Sequence, residues 1–381
     1  MTTAVLKKSI IIVAVCAFIS CEKEKISPNL VLIEATPLFS RDASELRTFI
    51  ESSGLDLPVQ ELKFDVKVFQ IDYKTDYKGQ TVTASGLVIL PDTQSPVAMI
   101  SFQHGTIAAH DQAPSALPLN SLELILYSAL ASPGFIAVVP DFLGFGSSSD
   151  MLHPYYVEDI TASTIVDMLR AAKELADDQG VTFNERLFLA GYSQGGYATM
   201  ATHKALENSE VVGFDLIASY PAAGGYDVKG MQESFFALEQ YDEPFYIAYV
   251  ALAYKTYFGW DAPLSDFFNE PYAAAIPQLF NGQKSGAEIN ANLTIDVPAL
   301  IQEDLLHNID SDPRYGYIIN AFIENSLLDW VPQKPMHLYH GTADVTVFYQ
   351  NSVDTYETFL ANGASEMIVT FTPLPGATHA S

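Results

Sequence analysis

Apolar positions along this chain fall into two regimes. Up to about residue 221, short apolar runs alternate with longer amphipathic stretches; from 222 to 334 the short runs disappear. Leu62 to Tyr73 alternates apolar and polar side chains, the period of a half-exposed strand. Thr81 to Leu90, Val97 to Phe102, Phe135 to Val139, Arg186 to Ala190 and Leu216 to Ser219 read as further strands. Residues 43 to 54 form a short amphipathic helix pattern ending at Gly54, and Ser121 to Leu130 is helical. Val157 to Leu175 is a longer helix, with Ile160, Ile165, Met168, Leu169 and Ala172 near one face. Strands and helices taken in turn predict an α/β fold: a mostly parallel central sheet with helices on both faces.

The second regime is aromatic and helical. Phe235 to Leu238, Tyr246 to Tyr254, Pro298 to His307 and Tyr317 to Leu328 carry it, with Phe267 and Phe268 between. Residues 222–334 are therefore expected to be a mainly helical cap inserted in a core made of residues 60–221 and 335–381. Over the core it would exclude water and supply an apolar pocket. The core resumes with the strand pattern Met336 to Gly341 and the run Ile368 to Phe371.

The amino-terminal segment departs from both regimes. Lys7 and Lys8 precede an apolar stretch, Ser9 to Ser20, that is too short to span a bilayer as a helix. Phe18-Ile19-Ser20-Cys21 looks like a bacterial lipobox, with Phe18 where leucine is usual. Residues 1–20 are thus expected to be a lipoprotein-type signal peptide, Cys21 the lipidated residue, and 21–59 a tether followed by the first helix. The expected location is the bacterial cell envelope, as a membrane lipoprotein. Removal of Cys16 with the signal would leave Cys21 alone, so no disulfide within the chain is expected. The balance of 46 acidic against 19 basic residues, a formal charge of −27, argues against nucleic acid as a partner.

The candidate chemistry lies in Gly191-Tyr192-Ser193-Gln194-Gly195, where a strand pattern meets a helix pattern. G-x-S-x-G at that junction would lift Ser193 onto a tight elbow at a helix N-terminus. A serine hydroxyl needs a base, and the base needs an acid to fix its tautomer. Asp344 follows the Met336 to Gly341 strand, and His379, the one histidine beyond it, follows the last strand and a loop. Asp354 and Glu357 are alternative acids. The oxyanion would be held by the backbone N–H of Gln194 and of Thr106 (or Gly105), the latter from the loop Gln103-His104-Gly105-Thr106. Asp141 to Gly146 reads as a glycine turn that shapes the pocket, and His110 and His153 as structural or surface histidines near its mouth. No metal-ligand cluster, phosphate loop or G-x-G-x-x-G occurs, so no metal or organic cofactor is implied.

Four segments in order carry a family likeness: Gln103 to Thr106, Pro140 to Ser148, Gly191 to Gly196, and Asp329-Trp330-Val331-Pro332 followed by His340 to Asp344. Over roughly residues 60 to 381 the chain resembles capped bacterial α/β-hydrolases related to the secretory lipases. The resemblance implies a serine esterase or lipase with Ser193, Asp344 and His379 as its triad, acting on a small-molecule or lipid ester. Two departures stand out: the disulfides of the secreted fungal relatives are lacking, and the sequence given runs only two residues past His379. A serine peptidase or a polysaccharide deacylase on the same fold is the nearest alternative. A non-catalytic binding lipoprotein is the alternative of another class.

Overall fold

In the computed structural model, which describes residues 30–209 and 211–381, strands are the frame on which everything else is hung. They are β1 (Leu32–Arg41), β2 (Val66–Tyr77), β3 (Gln80–Pro91), β4 (Val97–Gln103), β5 (Phe135–Pro140), β6 (Phe183–Tyr192), β7 (Asp215–Ala222), β8 (Met336–Gly341) and β9 (Val369–Leu374). They form one sheet in the order β1-β2-β3-β5-β4-β6-β7-β8-β9. Pairing is antiparallel from β1 to β5 and parallel from β5 through to β9.

Side chains on β2 and β3 alternate between two cores, as the period of a strand requires. Val66, Val68, Leu87 and Ile89 pack with the helices α1 (Ala43–Ser53) and α2 (Leu122–Ala131) on one face. Phe69, Ile71, Tyr73 and Val88 pack on the other with α3 (Glu158–Asp178) and α4 (Gln194–Asn208). Between β7 and β8 the chain forms α5 (Val228–Phe236), α6 (Pro244–Phe258), α7 (Tyr272–Leu279), α8 (Gly286–Asn290), α9 (Val297–Leu300), α10 (Glu303–Asn308) and α11 (Gly316–Glu324). These helices hold a core of their own around Phe267, Phe268, Ile276 and Leu300. The helix α12 (Tyr349–Ala361) then leads from β8 to β9.

One part of the sequence reading is corrected here. Residues 21–59 were expected to be a tether and a helix, yet Leu32–Arg41 is a strand on the edge of the sheet. Its sequence hides it. Pro37 interrupts the run, and two register shifts break the alternation of its faces. Proline is tolerated on an edge, where one row of N–H groups has no strand partner. The start of β1 is tied to α3, because the N–H groups of Val31 and Leu32 donate to the Glu174 carboxylate at 3.1 and 2.8 Å. The Cys21 expectation and the signal-peptide expectation fall outside the described residues.

The strand order positions the site. The chain passes from β4 to β5 on one side and returns to β6 on the other. Loops leaving the carboxyl ends of β4 and β6 therefore diverge, and ligands bind in the crevice such a switch point opens. Gln103 at the end of β4 lies opposite Gly191 near the end of β6, so the two loops start at the same level.

Candidate active site

Ser193 sits between β6 and α4 with φ 58° and ψ −123°. This is a backbone conformation that a side chain rarely adopts, and it projects Oγ above the sheet edge. Glycines permit it. A Cβ on Gly195 would lie 1.9 Å from the Gln103 carbonyl oxygen, and one on Gly191 2.2 Å from the Gly195 oxygen. The buried Gln103 side chain fastens the same corner: its Nε2 donates to Ser101 Oγ at 2.6 Å, and its Oε1 accepts from Thr199 Oγ1 at 2.7 Å.

The three side chains singled out from the sequence meet. The Ser193 hydroxyl lies 2.9 Å from His379 Nε2, and His379 Nδ1 lies 2.7 Å from Asp344 Oδ2. A neutral imidazole with its proton on Nδ1 satisfies both contacts, donating to the carboxylate and accepting from the serine. Asp344 is buried in the loop between β8 and α12, where its Oδ1 accepts the N–H groups of Thr346 and Val347 at 2.9 and 3.1 Å. Burial alone would raise its pKa. Hydrogen bonds and charge from His340 and His379 outweigh burial and hold the carboxyl well below its usual range. Asp354, weighed as an alternative, accepts instead from Gln350 at 2.8 Å on the exposed face of α12.

Two supporting groups were not foreseen, and a third, His153, was placed near the mouth without a partner. His340 is fully buried; its Nε2–H points to Asp344 Oδ2 at 3.0 Å and the Val347 carbonyl at 2.9 Å, and its Nδ1 accepts from Ser352 Oγ at 2.6 Å. The Tyr192 hydroxyl donates to the main-chain carbonyl of His379, and the two rings lie 5.2 Å apart. His153, expected to be a structural or surface histidine, is buried and reaches the site through Gln194. Its Nδ1–H donates to Leu143 O at 2.6 Å, and its Nε2 accepts from the Gln194 amide at 2.6 Å. Burial pushes its pKa down to about 3. His340 and Tyr192 flank motif residues, so the motifs pointed at their neighbourhood; nothing in the sequence signals their contacts.

The expected oxyanion donors flank the serine. Gln194 opens α4, and its N–H has no acceptor among the described residues; nor does that of Thr106. The Thr106 side chain is held by Tyr155, Oγ1 to hydroxyl 2.8 Å. Gly105 passes so near the elbow that a Cβ there would lie 3.7 Å from Ser193 Cβ. Asp141, in the adjoining glycine turn, is a buried carboxylate that organises rather than reacts. It accepts from Ser85 Oγ and Ser115 Oγ at 2.6 Å each and from the Ser115 N–H at 2.9 Å.

Ser193 opens onto a cavity walled by α5, α6 and α11, among them Val228, Phe235, Ile247, Tyr254 and Phe322. Almost all of that wall is apolar. Among the described residues, no group of three or more His, Cys, Asp or Glu is arranged to hold a metal ion, and no helix is long and apolar enough to cross a membrane.

Comparison with known proteins agrees with this fold. Residues 113–210 match the secretory lipase family. The chain is 22% identical over 306 residues to Lipase 6 of Candida albicans, covering 71% of this chain and 59% of that protein's length. A Legionella pneumophila protein assigned to the hydrolases superimposes with a TM-score of 0.82 at 28% identity, over 92% of this chain and 93% of the other. The rice cell wall degrading esterase LipA of Xanthomonas oryzae gives 0.80 at 25% identity, over 92% of each chain. Candida antarctica lipase A shares the fold, with a TM-score of 0.65 at 18% identity over 92% of this chain and 77% of its own. The chain is an α/β-hydrolase related to these bacterial hydrolases and lipases.

Proposed function

We propose that this protein is a carboxylic-ester hydrolase, an esterase or lipase acting through Ser193, His379 and Asp344 and an acyl-enzyme intermediate. One observation carries the reading: an unbroken hydrogen-bonded line from Ser193 Oγ through His379 to the ionised Asp344, starting on a strained elbow at the mouth of an apolar cavity. Relatives described as esterases and lipases support the ester bond as the target.

In the first half-reaction His379 Nε2 takes the Ser193 proton as Oγ attacks the ester carbonyl. Asp344 stabilises the imidazolium that results. The negative oxygen of the tetrahedral intermediate turns to the N–H groups of Gln194 and Thr106, which are fixed before the reaction and need no reorganisation. His379 then protonates the departing alkoxide, leaving the acyl group on Ser193 and its apolar tail in the cavity. Water attacks the acyl-enzyme by the same steps and frees the acid.

Hydrolysis of p-nitrophenyl esters from acetyl to palmitoyl tests the reading. Wild type is expected to turn over esters with an optimum chain length, and Ser193→Ala to lose about a thousandfold or more. A fluorophosphonate probe should label wild type and not the variant. A folded wild type that hydrolyses no ester and takes no label would overturn the proposal.

The lipobox-like run ending at Cys21 extends it to an envelope lipoprotein whose ester-cleaving body is held at a membrane. Radiolabelled palmitate should enter the full-length chain expressed in bacteria and should not enter Cys21→Ala, which should leave the membrane fraction. Equal fractionation of both would sink the anchor.

A further inference from the structure

His340 has no part in the reaction as described, yet it touches the same atom as the base. The Asp344 carboxylate takes four donors. Its Oδ1 accepts the N–H groups of Thr346 and Val347, and its Oδ2 accepts both His379 Nδ1–H at 2.7 Å and His340 Nε2–H at 3.0 Å. The proton on His340 Nε2 is fixed by its surroundings. That nitrogen also lies 2.9 Å from the Val347 carbonyl, which can only accept, and Nδ1 accepts from the Ser352 hydroxyl at 2.6 Å. Edge-on packing against Tyr349, with the rings 5.9 Å apart, completes the seat of a residue that is 1% exposed.

A carboxylate stabilised by an extra donor is less basic, so it holds the imidazolium of His379 less tightly. His379 must be neutral to take the Ser193 proton. We infer that His340 is a positioning residue of the proposed triad: it fixes Asp344 Oδ2 toward the base and, by sharing that oxygen, extends hydrolysis to lower pH. Burial alone would raise the Asp344 pKa, and the His340 hydrogen bond comes first among the contacts that bring it below the usual range. Other ionisable side chains face this group from three elements: Tyr192 on β6, Tyr241 and Tyr246 at the start of α6, and Tyr349 on α12. Burial pushes Tyr192 and Tyr246 up to about 12 and Tyr241 higher still, so these three stay uncharged where hydrolysis is measured.

The inference rests on the ester-hydrolase reading, and one experiment separates them. The pH dependence of kcat/KM on a single p-nitrophenyl ester is compared for wild type and three variants. His340→Leu removes the donor. His340→Asn keeps an amide that ends short of Oδ2, and His340→Gln places an amide N–H where Nε2 was. The first two should move the acidic limb upward by about one pH unit, the effect of taking one donor from a charged acceptor. His340→Gln should keep the limb near its wild-type position. A histidine that only filled space would lower the plateau in all three and leave the limb in place. Fluorophosphonate labelling of Ser193 and a cooperative thermal transition establish which variants are folded; if His340→Leu is not, the asparagine and glutamine pair decides. A limb that stays put in His340→Asn, or moves equally in His340→Asn and His340→Gln, would overturn the inference and leave the ester reading intact. No turnover of any ester by wild type would overturn both.

Discussion

At the residue scale, His379, the proposed base, is held by more than Asp344. Tyr192 stands next to the nucleophile in sequence, yet its hydroxyl holds the main chain of His379, 187 residues away. Tyr192→Phe keeps the ring and removes that tie. It should lower kcat by about tenfold, with KM nearly unchanged, because a loosened base misses the near-attack geometry while the acyl cavity stays intact. Steady-state kinetics on a single p-nitrophenyl ester would measure it; a change confined to KM would show that Tyr192 contacts substrate instead. His153 sets a different limit. Its folded pKa, pushed down to about 3, lies below the value near 6.5 of an unfolded histidine. Above pH 6.5 both states are neutral and it adds no pH dependence. Below that, the unfolded chain takes up a proton that the folded one refuses, so stability falls until the pH nears 3. Between pH 7 and 5 this loss should reach about 2 kcal/mol, and urea unfolding of His153→Gln should show a drop smaller by that amount. Asp344 acts lower on the scale: with its carboxyl held down, its contribution is complete above the ordinary value near 4 and fades as the pH falls further. Ser193, Asp344 and His379 could be picked from sequence because chain order and strand ends constrain them. His340, Gln103 and His153 could not, because what they touch is decided by tertiary packing.

At the scale of elements, strand β6, the elbow and helix α4 form one rigid unit, and its tolerance is set by backbone contact. Gly195→Ala would drive a Cβ into the carbonyl of Gln103, backbone against backbone, where no rotamer change gives relief. The variant should lose at least about 3 kcal/mol, the range of severe overpacking, and appear as insoluble protein or as a transition lowered by several degrees. A soluble variant of wild-type Tm would mean that α4 can slide away from β4. The inner parallel strands β4 and β5 were legible because each is a nearly continuous buried apolar run. Strand β1 was not, because an edge strand with Pro37 and shifted register has neither the alternation nor the apolar run that marks a strand. The turn between β2 and β3 was equally quiet: Lys78 and Gly79 reverse the chain at φ 56° and 79°, and only the glycine advertises it.

At the scale of the whole molecule, the site gathers the carboxyl ends of strands on both sides of the long helical segment between β7 and β8. Ser193 precedes that segment; Asp344 and His379 follow it. The line of hydrogen bonds among them therefore needs β6 to β9 paired across that segment, so labelling of Ser193 by an active-site probe should report long-range assembly of that side of the sheet, not local structure. The formal charge of −27 surrounds this neutral-walled cavity with a field that disfavours polyanionic substrates. The elbow also burdens the stability of the molecule as a whole. Held at φ 58° and ψ −123°, Ser193 stores strain that a glycine in the same place would not feel. Ser193→Gly should raise the unfolding free energy by about 1 kcal/mol in urea titration while abolishing hydrolysis, and an unchanged or lowered value would mean that the elbow is relaxed. In evolutionary terms the gradient runs against the nucleophile. Mutation left to stability alone would replace this serine, so on the proposed reading the strained dihedral is the cost of keeping a hydroxyl at the elbow.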